Sequence, residues 1–531
     1  MAVKFNRATF TRNFLKKITK IKAPDDMLAE AKNAGLEKTL GAIDLITLGI
    51  GAIIGSGIFA IVGIAAAGSA DQPGAGPALM LSMIIAAVAC IFSALCYTEF
   101  ATMIPVAGGA YIYTFATLGE FAAWMVGWVL MLEYAIGFIA VACAWSNHFV
   151  QFMSGFSNVL PSWLANPPVW LVSDVNTAIK TATDNGINPH DVIPTLFGMP
   201  VCINIPAIVM VLLSTMILVK GTKDSTKMAG IMVFIKLAVI ALFVLVGAFF
   251  VRPENWTPFA PHGFEGIFAG AFIIFFAYIG FDAIATAAEE CKNPQKDLPI
   301  GIIGSLVATT IVYVLVALIL TGMQDTSGSV PAAFLAAPMA FCMKMAHQNW
   351  AAGLISLGSL AGLTSVLIVM EMAATRILYA MSRDHFISKR FQALHPKYKT
   401  PHVLTWTVGL LSILGVLTLD LNVAAELCNF GTFTSFIVVC VAVLILRHTE
   451  PNRPRPFKVP FSPWFPALGI ICCGGLMIYK LQSASSSALL FPVWLGIGAL
   501  IYLYYGFTRN RANENEIHKE IVHNKQQELI K

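Results

Sequence analysis

Between Gly41 and Ala67 the chain is apolar for longer than a soluble helix requires. Yet the stretch Gly49–Phe59 (GIGAIIGSGIF) inside that run carries four glycines within nine residues. A run of this length can cross a bilayer as a helix. Glycine is a poor helix former, so Gly55-Ser56-Gly57 at mid-run predicts that the helix unwinds there. Unwound backbone is tolerated in a bilayer only where it lines a polar cavity or is buried in protein. A helix broken near the midplane is where a secondary transporter holds its substrate. The competing use of these glycines is close helix contact, since Gly51-x-x-x-Gly55 is also a small-xxx-small pattern. A phosphate-binding loop is excluded, because neither the Lys-Ser/Thr pair nor the preceding strand is present.

The rest of the chain repeats the membrane signal. It is 57% hydrophobic and only 12% charged, against about 25% charged for a soluble domain. Twelve apolar runs can be drawn, near 41–67, 77–103, 110–152, 204–220, 226–251, 264–290, 299–322, 351–381, 402–420, 423–446, 463–482 and 488–508. The third is too long for an upright span and is expected to tilt beyond the bilayer. Of the 34 Lys and Arg residues, 29 fall in the two tails and the loops of one side, four on the other side, and Lys236 within a span. The positive-inside rule then puts both termini in the cytoplasm. Spread over six segments, this basic excess reports topology and not a nucleic-acid surface. The first forty residues are polar and basic, with no short signal-type apolar core. Around Phe14–Ile18 they form an amphipathic stretch able to lie on an anionic leaflet. Residues 153–203 read as a turn-rich external loop, through Asn166-Pro167-Pro168, Asn185-Gly186 and Asn188-Pro189.

The sixth run (FAGAFIIFFAYIGFDAIATAAEE) is interrupted in the same way. Gly280 lies between Ile279 and Phe281, and Asp282 follows at once. An aspartate at that depth must face protein or water, and its place after the glycine suits a cap that restarts the helix; a proton relay is the alternative. If runs one to five and six to ten are inverted repeats, the two breaks meet near the midplane. Their chemistry is complementary. The N–H groups of Gly55, Ser56 and Gly57 open a half-helix and suit a carboxylate. The carbonyls of Phe276, Ala277 and Ile279 suit an ammonium. Together they describe a receptor for a zwitterion, an α-amino acid.

GIGAIIGSGIF, PVAGGAYIYTFATLGE, FFAYIGFDAIATAAEECKNPQKDLPIGI and TRILYAMSRDH resemble the amino acid–polyamine–organocation superfamily. Within it they are most similar to the cationic amino acid transporter family and its bacterial relatives. The resemblance covers about 41–508. It implies an all-α polytopic fold of twelve transmembrane helices: a five-plus-five inverted-repeat core like that of the sodium-coupled leucine transporter, with the first and sixth spans discontinuous, plus two extra helices. The corresponding division is a cytoplasmic tail (1–40), a first repeat (41–251), a second repeat (252–446), spans eleven and twelve (447–508) and a second cytoplasmic tail (509–531). The match carries Ile53, Gly55, Ser56 and Gly57 as carboxylate-side residues and Phe276, Ala277 and Ile279 as amine-side residues.

Three ionisable residues lie deep in the apolar runs. Lys236 sits about ten residues into the fifth, where a charge costs about 2.5–3.5 kcal/mol on insertion scales. In proton-coupled relatives a lysine here takes the space that sodium holds in sodium-coupled members. The resemblance therefore implies that Lys236 couples transport to protons. Glu133, in the third run, resembles an acid beside the family's substrate cavity; a buried acid bonded between spans is the alternative. Glu371, in the eighth, would favour a cationic substrate if it faces the cavity; a structural acid near the inner gate is equally consistent. Glu99, Glu120, Glu289 and Glu290 are expected to form ion pairs with Arg376, Arg383 and Lys292 near the cytoplasmic face.

Neither HExxH nor GxSxG is present, and the ten cysteines include no CxxC pair, although Cys202 and Cys342 lie toward one face. The reading is therefore not an enzyme and has no cofactor. It is a multi-pass plasma-membrane transporter taking up L-amino acids, neutral or cationic, with protons. An amino acid/amine exchanger and a non-transporting sensor are the alternatives. A small membrane-protein partner would leave no mark in the sequence.

Overall fold

The computed structural model describes residues 19–504, apart from 34–37, 39, 70, 71, 107, 155–159, 166, 185, 197, 198, 329, 399, 420 and 483–485. The amphipathic stretch around Phe14–Ile18 and the second tail lie outside the described residues. Long apolar helices dominate, as the bilayer argument requires. They are α1 (Ala42–Ile53), α2 (Val62–Ala67), α3 (Leu79–Met103), α4 (Glu120–Ser154), α5 (Ile205–Lys220), α6 (Thr222–Gly247) and α7 (Gly263–Phe275). After these come α8 (Pro294–Met323), α9 (Asn349–Arg383), α10 (His402–Thr418), α11 (Leu421–Thr449), α12 (Trp464–Gln482) and α13 (Ser486–Tyr504). Among the described residues nine helices are long and apolar enough to cross a membrane. They become ten when α1 and the helical stretch Gly57–Ala67, bent by 41° at their junction, count as one; α5 and α10 are shorter apolar helices.

The run 110–152 is not one tilted span. It divides into a short helix, Ala110–Thr117, and α4. Gly119 at φ +93° takes the left-handed backbone that ends the first piece and starts the second. A π-turn, Leu132–Ile136, widens α4 at mid-length. The segment 153–203 is more structured than a run of turns. It holds short helices Ser162–Ala165, Val175–Asp184 and Pro189–Val192. Asn188 caps the last of these by accepting from His190 N–H at 3.2 Å. Cys202 and Cys342 are both free thiols.

The interrupted helices lie at the centre. α1 rests on α8, α6 and α9, and α7 on α3. Large side chains such as Phe234, Leu245, Phe249, Leu411, Ile471 and Leu500 stay exposed on the outer helices, as a lipid-facing surface demands. One end of the molecule is tied by ion pairs and by the leading segment. Lys22 N–H donates to the Phe115 carbonyl at 3.2 Å, and Met27 of helix Pro24–Asn33 is buried. Leu40, just before α1, pairs with Cys291 across a two-bond bridge. Leu40 N–H donates to Glu290 O at 3.0 Å, and Lys292 N–H to Leu40 O at 2.9 Å.

Candidate functional site

α1 stops at Ile53. Ile54 turns to ψ 100°, and the chain re-enters a helix through a π-turn, Gly57–Ile61. At the start of the restarted half, Ile58 and Phe59 N–H both donate to Gly55 O at 3.2 Å, so the N–H groups left over for a ligand lie before them, as at any helix start. Ser56 is buried and its hydroxyl has no hydrogen-bond partner. Gly57 lies against Ala277 so tightly that a Cβ on it would strike the Ala277 backbone, and a Cβ on Gly55 would lie 2.7 Å from Val366. The glycines therefore serve close approach as well as unwinding.

Lys236 reaches this break from α6 and is fully buried. Its Nζ donates to Gly51 O at 2.8 Å, Ile54 O at 2.6 Å and Ser365 Oγ at 3.0 Å. Two of the acceptors are carbonyls at the C-terminal end of α1, where a helix favours a cation. Across the break the Tyr313 hydroxyl lies 2.9 Å from Ile53 O and 2.8 Å from Ala277 O, placed to donate to either. Tyr313 thus joins the two interrupted helices.

In the second break α7 tightens into a 3₁₀ turn, Phe276–Tyr278, and opens at Ile279 with ψ 139°. Gly280 has φ +119°, and a Cβ there would come 2.8 Å from the Ala52 Cβ. Of the predicted ammonium acceptors, Phe276 O receives a long 3.4 Å bond from Ile279 N–H and Ala277 O faces Tyr313.

Asp282 is not a helix cap, since its carboxyl makes no bond to the restarted backbone. The neighbours that claim it come from α4. Tyr134 donates its hydroxyl to Asp282, and the Glu133 carboxyl meets the Asp282 carboxyl. Ser435 of α11 donates to Glu133 at 3.2 Å. Each acid otherwise keeps one oxygen with no donor. Two carboxyls bond to each other only through a proton, so the pair is a place where one can be shared. The structure thus puts Glu133 beside the second break, bonded between spans.

Glu371 is not brought to either break. Its carboxylate accepts from Ser214 at 2.9 Å and Thr215 at 2.6 Å, both on α5. Glu120 accepts from the Tyr502 hydroxyl at 3.3 Å, and Glu99, Glu289 and Glu290 form ion pairs at the tied end. Arg376 meets Glu290 at 2.6 Å, Arg383 meets Glu289 at 3.6 Å, and Glu99 takes Arg447 at 2.5 Å and Arg455 at 3.2 Å. Asp384 joins them, accepting from Lys22 and from the Tyr111 hydroxyl, each at 2.6 Å. Sequence reasoning missed Tyr313 and Ser365. Tyr313 left a signal, a hydroxyl in the otherwise apolar IVYVLVALIL. Ser365, one small polar residue among several in its helix, left none. Among the described residues no three His, Cys, Asp or Glu side chains gather as a metal site.

A sequence profile of the amino acid permease family matches residues 40–504 of this chain. The chain belongs to that family. It is a membrane transporter and not an enzyme. The branched-chain amino acid permease BcaP of Bacillus subtilis is 41% identical over 493 residues, which cover 92% of this chain and 97% of that protein. The methylthioribose transporter of Bacillus subtilis is 38% identical, over 92% of this chain and 98% of its own length. Cationic amino acid transporter 9, chloroplastic, of Arabidopsis thaliana is 32% identical, over 91% and 80% respectively. The motif resemblance to the amino acid–polyamine–organocation superfamily is thereby established over nearly the whole chain.

Proposed function

We propose that this permease carries an L-amino acid with a neutral side chain across the plasma membrane together with a proton, by alternating access. Twelve spans, both termini cytoplasmic, and a five-plus-five inverted repeat frame the two breaks. The carboxylate is received by Ile53, Gly55, Ser56 and Gly57, and the ammonium by Phe276, Ala277 and Ile279. The buried hydroxyl of Ser56, without a partner of its own, supports the first assignment.

The observation that carries the coupling is the seat of Lys236. Three oxygens surround its ammonium and none is a carboxylate. With no fixed counter-charge, holding or losing a proton decides whether a cation occupies the carbonyl end of α1. That makes Lys236 the coupling residue, in the place where a bound metal cation would otherwise sit.

Glu371, which would read a cationic side chain only if it faced the cavity, is turned to α5, and Glu133 is engaged by Asp282. Both features favour a neutral substrate. The name of the 41%-identical branched-chain permease points the same way. The 38%-identical methylthioribose transporter supplies the natural control, because a thiosugar offers neither a carboxylate nor an ammonium.

The test is uptake into sodium-free proteoliposomes under an imposed pH gradient, with L-leucine, L-arginine and methylthioribose in parallel. Gradient-driven accumulation of leucine is the expected result. Uptake only after preloading with amino acid would make the protein an exchanger and return Lys236 to a structural role. Preference for arginine would return Glu371 to the site. Preference for methylthioribose would remove the zwitterion receptor altogether.

A further inference from the structure

His148 belongs to no part of the site described so far. It lies in α4, two turns before that helix ends, and is only 3% exposed. Its Nδ1 is 3.0 Å from the carbonyl of Ala144, one turn back in the same helix. Its Nε2 is 3.3 Å from the carbonyl of Phe59, in the π-turn that restarts the interrupted first helix. Both nitrogens therefore face acceptors that cannot donate.

A neutral imidazole has one N–H and one lone pair. Whichever tautomer it adopts, one nitrogen would set its lone pair against a carbonyl oxygen. The arrangement is fully hydrogen-bonded only when the ring carries both protons. No other ionisable group imposes on it. On its own helix Glu133 is fifteen residues away, roughly 22 Å along the axis. Glu371 is turned to α5. Lys236 approaches the same turn from the other side, at Gly362, where a Cβ would lie 3.0 Å from the Phe59 ring and 3.2 Å from Lys236 Cβ. Burial disfavours a charge on the ring, and the two carbonyls favour it.

We propose that His148 is a proton-binding site that fastens α4 to the restarted half of the interrupted helix. Lys236 holds carbonyls where the first half ends, and His148 holds a carbonyl where the second half begins. One break then has a proton-carrying nitrogen on each side, and each nitrogen reads backbone oxygens and not a carboxylate. The proton lost is the one on Nε2, whose contact is the longer; its loss sets the Nε2 lone pair against the Phe59 carbonyl and frees that half from α4, while Nδ1 keeps its proton on Ala144. The protonation itself is independent of the transport reading; its effect on uptake rests on that reading.

The full chain, labelled with ¹⁵N-histidine and held in lipid nanodiscs, tests the first part. The ring signal that disappears in His148→Gln is expected to report two protonated nitrogens at pH 5 and one by pH 7.5. A signal with one fixed proton over the whole range overturns the proposal. Uptake tests the second part. The ratio of leucine uptake at external pH 5 to that at pH 7.5 is expected to be at least threefold larger in the natural protein than in His148→Gln. The glutamine amide can still donate to Phe59 but cannot titrate. His148→Phe, which can do neither, is expected to transport slowly at both pH values. An unchanged ratio in His148→Gln overturns the fastening role, whatever the fate of Lys236.

Discussion

The two interrupted helices break for the same reason and are attended by different chemistry. Each break is opened by glycine at a point where another backbone comes too close for a Cβ. Gly57 lies against Ala277, and Gly280 against Ala52. At the first break the polar neighbours are a lysine, a serine and a tyrosine from α6, α9 and α8, all placed to donate to carbonyls. At the second they are two acids and a tyrosine, supplied largely by α4 and steadied by α11. Glycine only makes an opening. The neighbours decide what the opening can hold, and here one break is furnished with an amine and the other with a pair of acids.

The largest effect expected from breaking this contrast is at the cation. Lys236→Ala should lower gradient-driven uptake by about 100-fold or more while exchange of preloaded substrate survives. A variant that kept its proton dependence would remove the distinction between the breaks.

Next is the contact between them. Gly57→Ala should cost about 1–3 kcal/mol of stability through overpacking and most of the uptake, read by thermal unfolding and transport together. Gly51→Ala is the control, since its Cβ would meet only Val233 at 3.1 Å. If both glycines tolerate alanine equally, close approach is not what holds the breaks together.

At the acid pair, Asp282→Asn and Glu133→Gln should each reduce uptake by roughly tenfold. The double variant should be little worse than either, because the two act as one unit. Additive losses would mean that they do not share a proton.

The smallest effect is expected at Glu371→Gln. A glutamine there can still bond Ser214 and Thr215, so stability should move by less than about 1 kcal/mol. The leucine-to-arginine preference should not change, and a change would bring Glu371 back to the substrate.

The openings themselves were legible in the sequence, because glycine clustered in an apolar run has few other uses. So was the unusual depth of Lys236, whose stem and charge have no natural place in lipid. The furnishing of the second break was not. Asp282 follows a glycine at a helix restart, which is where a cap belongs, and only the approach of α4 turned its carboxyl toward Tyr134 and Glu133. The neighbour of Glu371 was not legible for a related reason. The helix around it is apolar on all sides, so no periodicity said which neighbour its carboxylate would face. The run 110–152 hid its division because Gly119 is a single residue whose left-handed backbone is a matter of geometry and not of hydropathy.

The bridge between Leu40 and Cys291 links the stretch entering α1 to the stretch leaving the second break. Tyr313 links the same two helices near their middles. Ties at two separated points resist sliding and parting of the two helices, and the single proton of the Tyr313 hydroxyl serves their two carbonyls in turn. Moving one break without the other means giving up at least one of these bonds.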